Sequence, residues 1–119
     1  MKRMLSVCLL LVLSVPLLGA EIPKLRGPVN DYADVLSPDE EKKIQDFLLG
    51  KERKTTNQIV ILTVKSLDGD TVEGFAEKVF NTWKLGKKGK DNGVLLVLAT
   101  KERKIRIEVG HGLEGVLPD

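Results

Sequence analysis

The residues best suited to chemistry lie in two short stretches that the chain must bring side by side. Asp91-Asn92-Gly93 leads into the apolar run Val94-Leu-Leu-Val-Leu-Ala99, and Lys104-Ile-Arg-Ile-Glu-Val109 leads out into Gly110-His-Gly-Leu-Glu-Gly115. Only Thr100 to Arg103 separate the two runs, too few residues for a parallel crossover, so the runs form an antiparallel hairpin. The start of its first strand then lies beside the exit of its second. Asp91 and Glu114 bring carboxylates there, Asn92 brings an amide oxygen, and the glycines allow close backbone approach. Oxygens of this kind suit a hard cation such as Ca²⁺, which takes roughly 6 to 8 of them. The spacing is discontinuous and contains no EF-hand loop, so a metal site would rest on tertiary convergence. Ordinary capping and turn carboxylates are the competing reading. His111, the single histidine, stands in the glycine turn as a proton relay or as an exposed turn residue. The sequence has no Ser/His/Asp triad, P-loop, dinucleotide fingerprint, cysteine phosphatase loop or paired-histidine signature, and no catalytic residue can be named.

The elements that position these residues can be read from periodicity. Ser37-Pro-Asp-Glu40 has the form of a capping box with proline in the first turn, and it opens a helix whose apolar stripe is Ile44, Phe47 and Leu48. The Lys51 to Lys54 cluster reads as a solvated face at the end of that helix. Ile59-Val-Ile-Leu-Thr-Val64 lacks alternation and reads as a strand buried on both faces. Asp70 with Glu73 caps a second helix, along which Val72, Phe75, Ala76, Val79, Phe80 and Trp83 form a stripe better suited to core packing than to a ligand pocket. Strand 59–64, helix 71–84 and strand 94–99 make a β-α-β unit with parallel strands. Strand 104–109 joins it antiparallel, with Ile105, Ile107 and Val109 as its dry face. The expected fold class is α/β, a small mixed sheet flanked by helices.

Composition narrows the function classes. The 119 residues allow one domain. Met1-Lys-Arg3, the apolar Met4 to Val15 and the small residues ending at Ala20 have the three-part layout of a secretory signal peptide cleaved after Ala20, with an uncleaved anchor as the alternative. Without Lys2 and Arg3 the 19 basic residues become 17, level with the 17 acidic ones. A neutral domain gives no electrostatic case for nucleic acid. Cys8, the only cysteine, lies in the leader, which leaves the mature chain without a disulfide or thiol nucleophile. Residues 21–28, with Pro23, Gly27 and Pro28, read as an extended lead-in across the domain.

Five segments taken together carry a family resemblance: Val29-Asn-Asp-Tyr-Ala-Asp-Val-Leu-Ser37, Gln58 to Val64, Phe80 to Gly86, Lys90-Asp-Asn-Gly-Val-Leu-Leu96, and Arg106-Ile-Glu-Val-Gly-His-Gly-Leu-Glu-Gly115 with Pro118-Asp119. In this order they closely resemble the TPM domain, here residues 29–119. The resemblance implies an extracytoplasmic α/β/α sandwich of the kind found in a thylakoid acid phosphatase, photosystem II repair factors, receptor modulators and bacterial envelope proteins. It also implies calcium held by Asp31, Asp34, Asp91, Asn92, Glu114 and Asp119. Relatives continue into further helices and often a membrane anchor, so the chain reads as stopping short of the C-terminal helices. Two functions are implied. One is an exported, periplasmic or otherwise extracytoplasmic accessory module, secreted or membrane-anchored, that assists assembly or maintenance of envelope or membrane proteins. The other is a metal-assisted acid phosphatase.

Overall fold

Four strands assemble into one mixed sheet with a helix on either face. The computed structural model describes residues 20–113. The expected leader up to Gly19 and two of the named carboxylates, Glu114 and Asp119, lie outside the described residues. The elements are β1 (Val29–Asp31), α1 (Pro38–Thr55), β2 (Gln58–Val64), α2 (Val72–Trp83), β3 (Gly93–Ala99), β4 (Lys104–Val109) and a 3₁₀ turn (His111–Leu113). Strand order is β1-β2-β3-β4. β1, β2 and β3 run parallel, and β4 returns antiparallel to β3, with Val94 opposite Val109 and Ala99 opposite Lys104. The α/β class, the β-α-β unit and the hairpin expected from the sequence are all present. Among the described residues no helix is long and apolar enough to cross a membrane.

The main core lies between the sheet and α2. Val60, Leu62 and Val64 of β2 and Leu95, Val97 and Ala99 of β3 meet Val72, Phe75, Ala76 and Val79 of α2. Phe75, Ala76 and Val79 are fully buried. The lead-in crosses this side, with the Trp83 indole donating to the Pro23 carbonyl at 2.9 Å. Val29 and Leu48 are buried apart from that cluster, which assigns α1 to the opposite face.

The helix starts follow capping chemistry. Ser37 Oγ accepts from Glu40 N at 3.1 Å and Glu40 Oε1 accepts from Ser37 N at 2.8 Å, a complete capping box with Pro38 in the first turn. Those bonds to Ser37 hold the Glu40 carboxyl below its ordinary pKa. The cap of α2, however, is Thr71, whose Oγ1 accepts from Gly74 N at 3.0 Å. Asp70 is turned away to accept from Ala20 N at 3.3 Å and to face Lys78 Nζ at 3.4 Å.

Two expected apolar contacts are corrected. Phe47 is 63% exposed. Neighbouring helix residues are turned by ~100°, and with Leu48 aimed at the sheet Phe47 swings outward, beneath Lys51 Nζ at 5.5 Å. On β4 it is Ile105 and Ile107 that are exposed, at 65% and 50%, while Arg106 and Glu108 are half-buried. The register explains this inversion: Arg106 lies opposite Val97 and Glu108 opposite Leu95, on the face that α2 covers. α1 packs chiefly on β1 and β2, and the Ile105 and Ile107 face stays open to solvent among the described residues.

Candidate functional site

The start of β3 and the exit of β4 interlock through backbone. Gly110 N donates to Gly93 O at 2.8 Å, and Gly112 N to Asp91 O at 2.9 Å. A Cβ on Gly110 would run into the Asp91 carbonyl and one on Gly112 into the Lys90 carbonyl. Asp91 itself sits at φ +48°, in the left-handed region. The close approach anticipated between the two glycine-rich stretches is therefore real, and it is made by main chain.

Asn92 secures this end from inside. It is 4% exposed. Its Oδ1 accepts from Lys87 N at 2.7 Å, and its Nδ2 donates to Thr56 O at 2.9 Å and Thr56 Oγ1 at 3.2 Å. Both ends of the amide are thus held by the loops around it.

Between α2 and the exit of β4 lies a cleft of about 460 Å³. Glu77, Asn81, Asp91, Glu108 and His111 supply its polar wall, Phe80 and Leu85 its apolar one, and Val109 and Gly110 border it. Glu108 Oε1 also meets Arg106 Nε at 3.3 Å. Three carboxylates beside an apolar surface favour a cationic group with a hydrocarbon stem. Of these residues the sequence had singled out Asp91 and His111. Glu77 reads as part of a solvated helix face and Glu108 as the wet side of a strand. The available signal was that Glu77 precedes Phe80 by one helical turn, and that Glu108 shares a β4 face with Arg106.

Asp31 and Asp34, the other described carboxylates of the expected set, lie at the far end of the sheet. Asp31 pairs with Thr63, whereas Gly93 pairs with Gln58. Five residues of β2 separate the two levels, about 17 Å along the strand. Asp31 Oδ1 accepts from Thr63 Oγ1 at 2.6 Å and Val35 N at 3.0 Å, and Oδ2 from Leu36 N at 2.9 Å. Desolvation opposes ionisation of Asp31, but the bonds from Thr63, Val35 and Leu36 outweigh it and hold the pKa below its ordinary value. Asp34 is exposed at φ +56°. Asn30, fully buried, uses its amide on Arg26 N, Gly27 O and Ile61 O. Glu102 resembles Asp31, with Oε2 accepting from Leu67 N at 2.9 Å.

The structure thus brings Asp91 and Asn92 together and separates them from Asp31 and Asp34. Among the described residues no three His, Cys, Asp or Glu side chains stand close enough to hold a metal ion. The described members of the expected calcium set do not fit such a site between them, so no chemical step is derived through a metal.

Comparison with known proteins gives the fold a context. A family model described as the TPM domain matches residues 29–119. The chain is similar to the solution structure of the N-terminal domain of a P. gingivalis protein, with TM-score 0.71 and 29% identity over 82% of this chain and 71% of that one. It is also similar in fold to the N-terminal domain of a Corynebacterium glutamicum protein, with TM-score 0.61 and 22% identity over 82% of this chain. This chain spans 63% of that second structure, under two thirds of its length. No curated protein matches the sequence.

Proposed function

The chain belongs to the TPM domain family, and from that premise we propose that it is a binding module, working outside the cytoplasm, that assists assembly or maintenance of membrane or envelope proteins. The observation that carries this reading is the cleft beside α2, where Glu77, Asp91 and Glu108 stand near Phe80 and Leu85. A lysine or arginine side chain of a partner protein lays its stem on the apolar wall and its charge among the carboxylates. Among the described residues that line the cleft there is no serine, threonine or cysteine. Export is inferred from the leader-like residues 1–20.

Calorimetric titration with a short lysine- and leucine-containing peptide tests this, with calcium in a parallel cell and a phosphomonoester hydrolysis assay on the same samples. Peptide binding that weakens several-fold in Asp91→Asn and in Glu77→Gln supports the module. Absence of peptide binding sinks it. Hydrolysis that scales with protein and disappears in Asp91→Asn would transfer the assignment to the metal-assisted phosphatase.

A further inference from the structure

β4 is the outer strand of the sheet, and its backbone is set for a further partner. Gly110 N bonds to Gly93 O, so by the alternation of an antiparallel ladder the even-numbered residues of β4 direct their N–H and C=O groups toward β3. The N–H and C=O groups of Ile105, Ile107 and Val109 therefore point away from it. No strand pairs with that edge among the described residues. An edge of this kind is a template for another chain unless it is blunted.

The residue sequence of β4 selects that chain. We propose that β4 pairs antiparallel with β4 of a second copy about a two-fold axis through Ile107. In this register Ile107 faces Ile107 and Ile105 faces Val109, so each outward-pointing backbone pair meets its counterpart directly. The side chains agree on both faces. On one, Arg106 of each copy stands across from Glu108 of the other, so every charged pair is of opposite sign. On the other, Ile105 and Ile107, exposed at 65% and 50%, join those of the second copy. Shifting the register by two residues would set Arg106 against Arg106 and leave two outward backbone pairs in place of three, so the axis at Ile107 is the preferred one. The two sheets become one eight-stranded sheet, and the α2 cleft of each copy, with Glu108 in its wall, lies beside Arg106 of the other.

Sedimentation velocity of the whole chain over a dilution series into the millimolar range tests the pairing. The expected result is a reversible shift from the 13.2 kDa monomer to a dimer. Arg106→Glu places like charges opposite each other twice per dimer and weakens association by about tenfold or more. Arg106→Glu combined with Glu108→Arg restores it. Ile107→Pro removes an outward N–H and no bond to β3, so it abolishes the dimer while circular dichroism remains that of the folded monomer. A monomer at every concentration overturns the proposal. So does a dimer that both Ile107→Pro and Arg106→Glu leave intact.

Discussion

The two ends of the sheet carry similar residues and use them in opposite ways. At the β1 end, Asp31 gives both oxygens to the chain that follows it, through Val35 N, Leu36 N and Thr63 Oγ1. At the β3 end the equivalent work is done by main chain and by Asn92, and the Asp91 carboxylate lines an open cleft. What decides between the two roles is the supply of N–H groups. Where a turn leaves backbone donors unsatisfied, a nearby carboxylate is drawn in to accept from them. Where glycines let backbone meet backbone directly, the carboxylate is released to face solvent and ligands.

The contrast can be broken most forcefully at its glycine side. Gly112→Ala drives a Cβ into the Lys90 carbonyl, backbone that cannot rotate aside. The expected loss is roughly 3 kcal/mol or more, read as a lowered urea midpoint. Asn92→Ala comes next. It leaves Lys87 N–H and Thr56 O without their partner in a buried setting, at a cost of about 2 kcal/mol, and the same denaturation curve measures it.

Asp31→Asn probes the other end and has a pH signature. The folded-state pKa of Asp31 is depressed, so its contribution to stability is present above the unfolded value of about 3.9. That contribution disappears as pH falls through the folded value. The variant should be less stable than the parent by about 1–2 kcal/mol near neutrality, and the gap should close on acidification below the usual carboxylate range. A gap constant with pH would show that packing, and not ionised hydrogen bonding, is what Asp31 supplies. The smallest effect belongs to Asp91→Asn. Asparagine tolerates the left-handed backbone at this position, so thermal stability should stay within ~0.5 kcal/mol of the parent while peptide binding in the cleft falls. A large loss of stability there would erase the distinction between the two ends.

Much of the architecture was legible because it depends on local pattern. The capping box at Ser37, the unbroken apolar run of β2 and the three-turn stripe of α2 each dictate an element with little help from elsewhere. The errors arose where a residue's setting depends on which helix covers which half of the sheet. Ile105 and Ile107 alternate with charges as if one face were dry, yet α2 covers the Arg106 side. Phe47 fits the helical stripe, yet α1 packs chiefly on β1 and β2. The site was partly legible for the same reason. The hairpin that joins Asp91 to Gly110 is a local deduction. The separation of the Asp31 level from the Gly93 level by about 17 Å along β2 follows from the parallel register of β1 with β2, which no local pattern encodes.

The hydrogen bond from Trp83 to the Pro23 carbonyl gives the molecule a built-in optical reporter. Trp83 is the only tryptophan, and its half-buried indole packs on the core while its N–H is tied to the lead-in. Peeling the lead-in away exposes that ring to water while the β2–β3 core is still intact. Its emission would therefore shift to the red ahead of the far-ultraviolet ellipticity, separating detachment of the N-terminal strap from collapse of the domain it crosses.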